Sequence, residues 1–247
     1  FVGRKKYLYD DNGHGTHVAG IIAGSGKGSN GKYRGIASDT FLVSVKVLDK
    51  SGNGKIENVV EAAGWIIENK SAMNIRVVNI SFGTRAKMEN GPAIETGEDD
   101  YALIMAVEKM WDSGIVVVAA AGNNGPGNAS VTAPGISKKI ITVGAFDDKN
   151  FFSGRGPTRE CIVKPEVVVT GSNIIACNNH QGRYSSKSGT SMAAPVVSGA
   201  VARLIKNNPD ITPKEVKIWM KSCCKKINVP SEKQGWGVLD IRKFVTG

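Results

Sequence analysis

Short apolar runs alternate with stretches of helical periodicity along the 247-residue chain. The runs are rich in Val and Ile and nearly continuous, which is typical of strands that are buried on both faces. The predicted strands are Phe41–Leu48, Ile75–Ile80, Ile115–Ala121, Ile140–Val143 and Glu166–Thr170. The predicted helices between them are Asn58–Asn69 and Tyr101–Asp112. This alternation predicts an α/β fold, with a mostly parallel sheet, helices on both faces and a ligand-binding edge at the strand C-termini.

Two further helices are predicted in the C-terminal part of the chain. Ser191–Lys206 is rich in Ala, Val, Ser and Gly, so we expect a small-surfaced helix in the centre of the fold. Thr212–Cys224 opens with Thr212 as N-cap, Pro213 at the first helical position and Glu215 completing a capping box.

The polar segment Gly83–Asp100 is predicted to be a long surface loop between a strand and a helix. Its acids could bind calcium or attract basic substrate residues, and a solvated acidic loop is the alternative. These acids are Glu95, Glu98, Asp99 and Asp100.

Net charge and cysteine usage exclude some classes of protein. The formal charge is +10, but no run of five basic residues occurs, so we expect a solvated basic surface and no nucleic-acid partner. No apolar stretch approaches 18 residues, so we expect no membrane partner. The spacing of the four cysteines predicts free thiols, which weakly favour the cytoplasm: Cys161, Cys177, Cys223 and Cys224.

Candidate catalytic residues lie in three glycine-flanked segments. The segments are Asn12–Gly20, Ala119–Gly127 and Ser188–Pro195. A serine hydroxyl is a poor nucleophile until a base takes its proton, and Ser191 is placed where a turn meets a helix. His14, in a tight turn before an apolar run, is a candidate general base. Asn123 follows a strand and could donate a hydrogen bond to an oxyanion.

Each of these residues also has an ordinary structural interpretation. A histidine beside a turn is usually structural, Gly-Asn-Asn-Gly is a turn signal, and a serine at a helix start is usually an N-cap. Only the joint occurrence of the three segments favours catalysis.

Together the three segments resemble the histidine, oxyanion-asparagine and serine motifs of the subtilisin-like serine proteases. They occur in that family's order, with His14 and Ser191 177 residues apart. The similarity runs essentially from end to end and also covers Val45–Leu48, Asn79–Gly83 and Gly235–Asp240. The resemblance implies one peptidase domain over residues 1–247 with a subtilisin-like three-layer fold. It implies that His14 is the base, Ser191 the nucleophile and Asn123 the oxyanion donor of a serine endopeptidase.

The same resemblance implies the other residues of the site. His17 is expected to be structural, while Gly122 and Gly189 shape the site. Extended polypeptides would bind by β-augmentation between two backbone edges. One edge consists of Ser51, Gly52, Asn53 and Gly54, and the other of Ser81, Phe82 and Gly83. The uncharged primary pocket favours apolar or broad specificity, and a propeptide is a further candidate partner.

No cofactor is expected to be required. Calcium is a candidate structural ion in this family, but the glycine-rich segment Gly24–Gly35 contains no Asp or Glu, so its site is unknown.

One motif of the family is missing. The resemblance implies an aspartate in an Asp-Ser/Thr-Gly motif some tens of residues before the histidine, but only 13 residues precede His14 and none forms that motif. Asp10 and Asp11 match the non-catalytic lead-in to the histidine. Because Phe1 is not an initiator methionine, we expect that the first strand and the aspartate belong to a longer gene product, which is active while this piece is nearly inactive.

Two other classes of function stay open on the sequence alone. One is a pseudoprotease that uses the same fold for binding or regulation, and the other is a basic nucleic-acid-binding domain supported only by net charge. The compartment, secreted or cytoplasmic in a bacterium, is likewise open.

Overall fold

The computed structural model describes residues 1–2, 7–84, 97–180 and 183–247. Its helices are α1 His14–Ala23, α2 Ile56–Asn69, α3 Glu98–Asp112, α4 Thr190–Asn207, α5 Pro213–Ser222, α6 Ser231–Gln234 and α7 Ile241–Thr246, with a short 3-10 turn at Lys27–Ser29. Its strands are β1 Val77–Ile80, β2 Val116–Ala120, β3 Ile141–Ala145, β4 Val167–Val169, β5 Ile174–Cys177, β6 Tyr184–Lys187, β7 Cys224–Lys225 and β8 Val238–Leu239.

A six-stranded sheet in the order β1-β2-β3-β4-β8-β7 forms the centre of the described chain. Five of these strands run parallel, and β7 pairs antiparallel with β8. Every residue of β2, β3 and β4 is buried, because α3 and α4 pack on the central strands. The expected α/β fold, a mostly parallel sheet covered by helices, is therefore confirmed. Strands β5 and β6 form a separate antiparallel hairpin.

Helix α4 is the central helix, as its composition predicted. Its small residues let it approach other elements closely: a Cβ added at Gly199 would lie 2.7 Å from the Cβ of Ile36. The N-terminus of α5 also follows the prediction, since the backbone N–H of Thr212 donates to Glu215 Oε2 at 2.8 Å and the Glu215 N–H donates to Thr212 Oγ1 at 3.3 Å.

The prediction of a strand at Phe41–Leu48 is wrong. This segment has no regular secondary structure; Phe41 is 99% exposed, and only Val47 in the run is buried. Strand propensity needs a neighbouring strand to satisfy the backbone. Among the described residues, β1 pairs only with β2, and residues 41–48 pair with no strand.

Two smaller predictions also need correction. His14 is the first residue of α1 and does not lie in a turn ahead of it. Glu98, Asp99 and Asp100 form the first turn of α3, where acids favour the positive end of the helix dipole, and are not part of a loop. Residues 85–96, with Glu95, lie outside the described residues.

Within the described ranges, none of the helices is long and apolar enough to cross a bilayer. The same ranges contain no group of three or more His, Cys, Asp or Glu side chains arranged to hold a metal ion. The four cysteines are all free thiols.

Candidate active site

A carboxylate accepts hydrogen bonds at the start of α1 and stabilises it. Gly13, with φ 88°, makes the left-handed turn that leads into His14. Asp10 accepts hydrogen bonds from the backbone N–H groups of Gly13 and Thr16 at 2.7 and 2.8 Å, and from Thr16 Oγ1 at 2.6 Å. Burial alone would raise the pKa of Asp10, but these hydrogen bonds lower it to about 2. Both oxygens of Asp10 are engaged in capping the helix, so this side chain positions the His14 backbone.

The half-buried His14 ring is held in its neutral form. Burial is the main cause that lowers the pKa of His14, and the charges of Lys187 and His17 lower it further, while Asp10 opposes them. A neutral imidazole at pH 7 has a free nitrogen lone pair, which is what a general base needs. In the described part of the chain, no carboxylate donates or accepts a hydrogen bond with this ring.

His17, one helical turn after His14, connects α1 to the β5–β6 hairpin. Its Nε2 lies 3.1 Å from the carbonyl oxygen of Ile174 and 3.0 Å from that of Ser185. Two carbonyl acceptors require the proton on Nε2, so the fully buried ring is a structural donor. This geometry agrees with the structural role that the sequence implied.

Helices α1 and α4 place His14 and Ser191 at the same end of a helix pair. A Cβ added at Gly199 would lie 3.5 Å from the carbonyl oxygen of Ile22, and these residues are each eight positions after Ser191 and His14. The C-terminal ends also lie near each other, because Lys206 of α4 pairs with Asp39, two residues after Ala37, whose backbone N–H donates to the Ile22 carbonyl oxygen at 2.7 Å. The two helices therefore run in the same direction.

Ser191 is the second residue of α4, so its backbone N–H has no partner within the helix. Its Oγ donates to the carbonyl oxygen of Ser81 at 2.9 Å, and Ser81 Oγ donates back to the Ser191 carbonyl at 2.9 Å. The serine hydroxyl is thus hydrogen-bonded to the end of β1 and not to His14. A rotation about χ1 would free it.

The side chain of Asn123 is oriented by the residue before the serine. The backbone N–H and Oγ1 of Thr190 both donate to Asn123 Oδ1, at 3.0 and 3.1 Å. Thr190 Oγ1 in turn accepts from the backbone N–H of Gly122 at 3.1 Å. Because Oδ1 is committed to Thr190, the NH₂ group of Asn123 remains the available donor beside Ser191.

Residues 81–83 and 122–123 follow adjacent parallel strands and lie at one sheet edge, with Thr132 against both. A Cβ added at Gly83 or at Gly122 would lie 2.6 Å from Thr132 Oγ1. Gly122 also has φ 90°, so a side chain there would be strained as well as crowded. Phe82 is partly buried and packs beneath this edge. These two segments and Thr132 enclose an uncharged site.

The loop Ser51–Gly54 lies beside the histidine turn. Asp49 Oδ1 accepts from the backbone N–H groups of Ser51 and Asn53 at 2.8 and 3.0 Å, which shapes the loop. Asn12 Nδ2 donates to the Lys50 carbonyl at 3.0 Å and ties the loop to the His14 segment. Ser51, Gly52, Asn53 and Gly54 are all exposed.

Comparisons with known proteins agree with this geometry. The model of the subtilase family matches residues 2–237. The chain belongs to the subtilase family. It is 40% identical to the serine protease AprX of Bacillus subtilis over 90% of this chain and 54% of AprX, and 34% identical to subtilisin DY of Bacillus licheniformis over 88% of this chain and 72% of that protein. Its structure resembles Sphericase with a TM-score of 0.81 and 25% identity, over 97% of this chain and 81% of that one.

The chain spans about half the length of AprX. These subtilase relatives give no support to the pseudoprotease alternative, nor to the cytoplasmic location that the free cysteines suggested.

Sequence reasoning missed several residues of this subtilase site. Thr190 adjoins Ser191, but its contacts to Asn123 depend on folding. Thr132 lies nine residues after Asn123 and carries no motif of its own. Asp10 was recognised only as a lead-in, because it lies four residues before His14, outside the N-cap position, and its bonds to Gly13 and Thr16 depend on the folded turn.

Proposed function

We propose that this subtilase chain carries the acylation site of a serine endopeptidase. In this mechanism His14 takes the proton of Ser191 Oγ, which attacks the carbonyl carbon of a peptide bond. The Asn123 amide and the Ser191 N–H stabilise the oxyanion. The proton then passes from His14 to the leaving amine as the C–N bond breaks, and water hydrolyses the ester on Ser191 by the reverse sequence.

The observation that carries this proposal is the hydrogen-bond set of Thr190. It commits Asn123 Oδ1 to the helix start and so leaves the Asn123 NH₂ group and the unpartnered Ser191 N–H as two donors beside one hydroxyl. Donors that are fixed before the reaction cost no reorganisation when negative charge develops.

We further propose that extended polypeptides bind between Ser51–Gly54 and Ser81–Gly83. The exposed loop and the strand end supply main-chain groups for β-augmentation. The neutral Thr132 hydroxyl at the base of the second edge supports a preference for apolar or small uncharged side chains at the residue before the cleaved bond.

The carboxylate that orients the imidazole is proposed to come from residues preceding Phe1. Asp10 is fully occupied as a helix cap, and His14 has no carboxylate partner among the described residues. One edge of β1 is not paired with any described strand, and the side chains of Phe41 and Leu42 are exposed, so there is room for an additional strand beside them. A propeptide and a structural calcium ion, as well as secretion, remain proposals at the level of the family.

Covalent labelling and peptide hydrolysis test this function. A fluorophosphonate probe should label the upstream-extended protein at Ser191, and S191A should abolish labelling. The extended form should hydrolyse peptides about 3 × 10⁴-fold faster than residues 1–247, the loss known for the missing aspartate in subtilisin itself. Equal rates in the two forms would refute the proposed origin of the carboxylate, and no labelling of the extended form would refute the protease.

A further inference from the structure

The β5–β6 hairpin is fixed directly beside the histidine. Besides the two bonds from His17, Asn179 Nδ2 donates to the carbonyl oxygen of Asp10 at 3.3 Å. A Cβ added at Gly13 would lie 2.8 Å from Asn179 Oδ1, so the start of the hairpin turn touches the residue before His14. The hairpin is therefore fixed to the backbone that carries His14.

This hairpin carries positive charge that the described structure does not neutralise. Lys187, half-buried, and Arg183, exposed, make no ion pair with any described acid. Asp10, whose main chain is bonded by Asn179, has both carboxylate oxygens already occupied by hydrogen bonds. The ammonium of Lys187 acts on both His14 and His17, which places it within electrostatic reach of the reacting centre.

A groove of about 460 Å³ lies between the turn of the hairpin and residues that follow α1. Its lining contains no acid and includes His180 and Arg183; the full set is Ser25, Gly28, Cys177, Asn178, Asn179, His180, Arg183 and Tyr184. The groove is uncharged apart from its basic groups, so it would favour anionic side chains over neutral ones and disfavour cationic ones.

The proposed mechanism places the hairpin on the leaving side of the cleaved bond. In the proposed mechanism His14 hands its proton to the leaving amine, so the leaving segment passes the imidazole. The acyl segment lies on the other side of Ser191, along Ser81–Gly83, which Ser191 itself contacts. The hairpin contacts α1 through His17, which lies one helical turn after His14.

We propose that the β5–β6 hairpin is a leaving-side subsite that selects acidic side chains in the first residues after the cleaved bond, with Lys187 as the nearer and Arg183 as the more distant determinant. This inference rests on the proposed protease function. It names the substrate class as polypeptides with Asp or Glu following the scissile bond.

Competition between acyl acceptors tests the subsite separately from the acyl side. One ester donor acylates Ser191 of the extended protein, and the dipeptide amides Glu-Glu, Gln-Gln and Lys-Lys compete with water for the acyl group. We expect partition to Glu-Glu to exceed partition to Gln-Gln about threefold to tenfold at low salt, since exposed charge pairs are individually weak, and the preference to shrink in 0.5 M salt. Lys-Lys should be the poorest acceptor.

Charge reversal supplies the matched control. K187E should favour Lys-Lys over Glu-Glu, and R183E should weaken the preference without inverting it. K221E makes the same change in net charge on the exposed face of α5 and should leave the partition unchanged. The inference is wrong if the partition of the acyl group does not depend on the charge of the acceptor, or if K187E and K221E change it equally. Either result would leave the protease proposal unaffected.

Binding separates this inference from the proposed function. Residues 1–247 with S191A should bind a labelled peptide carrying the Glu-Glu segment more tightly than its Gln-Gln counterpart, as measured by fluorescence anisotropy, and K187E should remove the difference. If the ester is not hydrolysed at all, the protease proposal fails, and this binding comparison alone decides for or against the acidic subsite.

Discussion

The two sides of the candidate active site are held together differently. The serine side comprises the ends of β1 and β2 and the start of α4. Hydrogen bonds join all three: Ser191 to Ser81 in both directions, and Thr190 to Asn123 and Gly122. The histidine side comprises α1, the turn before it and the β5–β6 hairpin. There Asp10 and His17 fix the backbone and the hairpin, but the His14 ring itself has no hydrogen-bond partner among the described residues.

This difference separates two requirements of catalysis. The proposed oxyanion stabilisation depends on donors that this chain orients by itself. Orientation of the imidazole depends on a carboxylate that the described residues do not provide. We therefore expect variants on the serine side to impair kcat directly, and variants of the residues that support His14, namely Asp10 and Lys187, to act through stability and pH dependence.

The largest effect is expected at Asn123. N123A removes one of the two proposed oxyanion donors and should lower kcat of the extended protein about 10²–10³-fold, the magnitude known from subtilisin. KM should change little, because the donor acts on charge that develops in the transition state. Steady-state peptide hydrolysis measures both, with the exposed Asn128→Ala as control. A loss confined to KM would mean that Asn123 binds substrate and does not stabilise the oxyanion.

Asp10 is expected to affect stability more than chemistry. D10N loses the carboxylate oxygen that accepts two bonds from Thr16, and such caps contribute about 0.5–2 kcal/mol to the free energy of unfolding. Because folding lowers the pKa of Asp10 to about 2, the wild type should hold this advantage above about pH 4 and lose it as the pH falls towards 2.

Urea unfolding of D10N at several pH values measures that difference. D11N, which removes an acid from the surface ion pair with Lys46, serves as the matched control. An undiminished difference between wild type and D10N at pH 2 would contradict the capping role.

Thr190 tests whether the orientation of Asn123 matters. T190V keeps the shape but removes the hydroxyl that bonds Asn123 and Gly122, so kcat should fall about tenfold, the equivalent of one net hydrogen bond of about 1.4 kcal/mol. T190S should restore most of the rate. In a double-mutant cycle, T190V should have little further effect in the N123A background, and full additivity would show that Thr190 acts independently.

The smallest effect is expected from Lys187 on the pH profile. Its charge lowers the pKa of His14, so K187M should raise that pKa. Activity needs the neutral ring and disappears as the pH falls through this pKa, so the acidic limb of kcat/KM should move to higher pH in K187M. The shift should be absent in K221M, and an unchanged limb in K187M would place Lys187 too far from the ring to matter.

The periodicity of the chain was enough to predict most of the fold. The runs that became β2, β3 and β4 are nearly continuous in apolar residues because both faces of the sheet are covered, and this burial leaves a signal in the sequence. The central helix and the capping box of α5 were also predictable, because composition and capping are local properties of a segment.

The sequence alone also determined which residues could react, since three glycine-flanked motifs name a hydroxyl, an imidazole and an amide. Only the tertiary structure decided what surrounds them. Residues 41–48 have a strand pattern but no strand beside them, and Thr132, Thr190 and Lys187 carry no motif. Their roles arise from contacts between residues far apart in the chain, and such contacts produce no hydrophobic periodicity and no motif spacing in the sequence. The physical reason is that strand pairing and the charges around a side chain are properties of the packed chain. The pattern of buried residues and the capping residues, in contrast, are visible in the sequence of each segment.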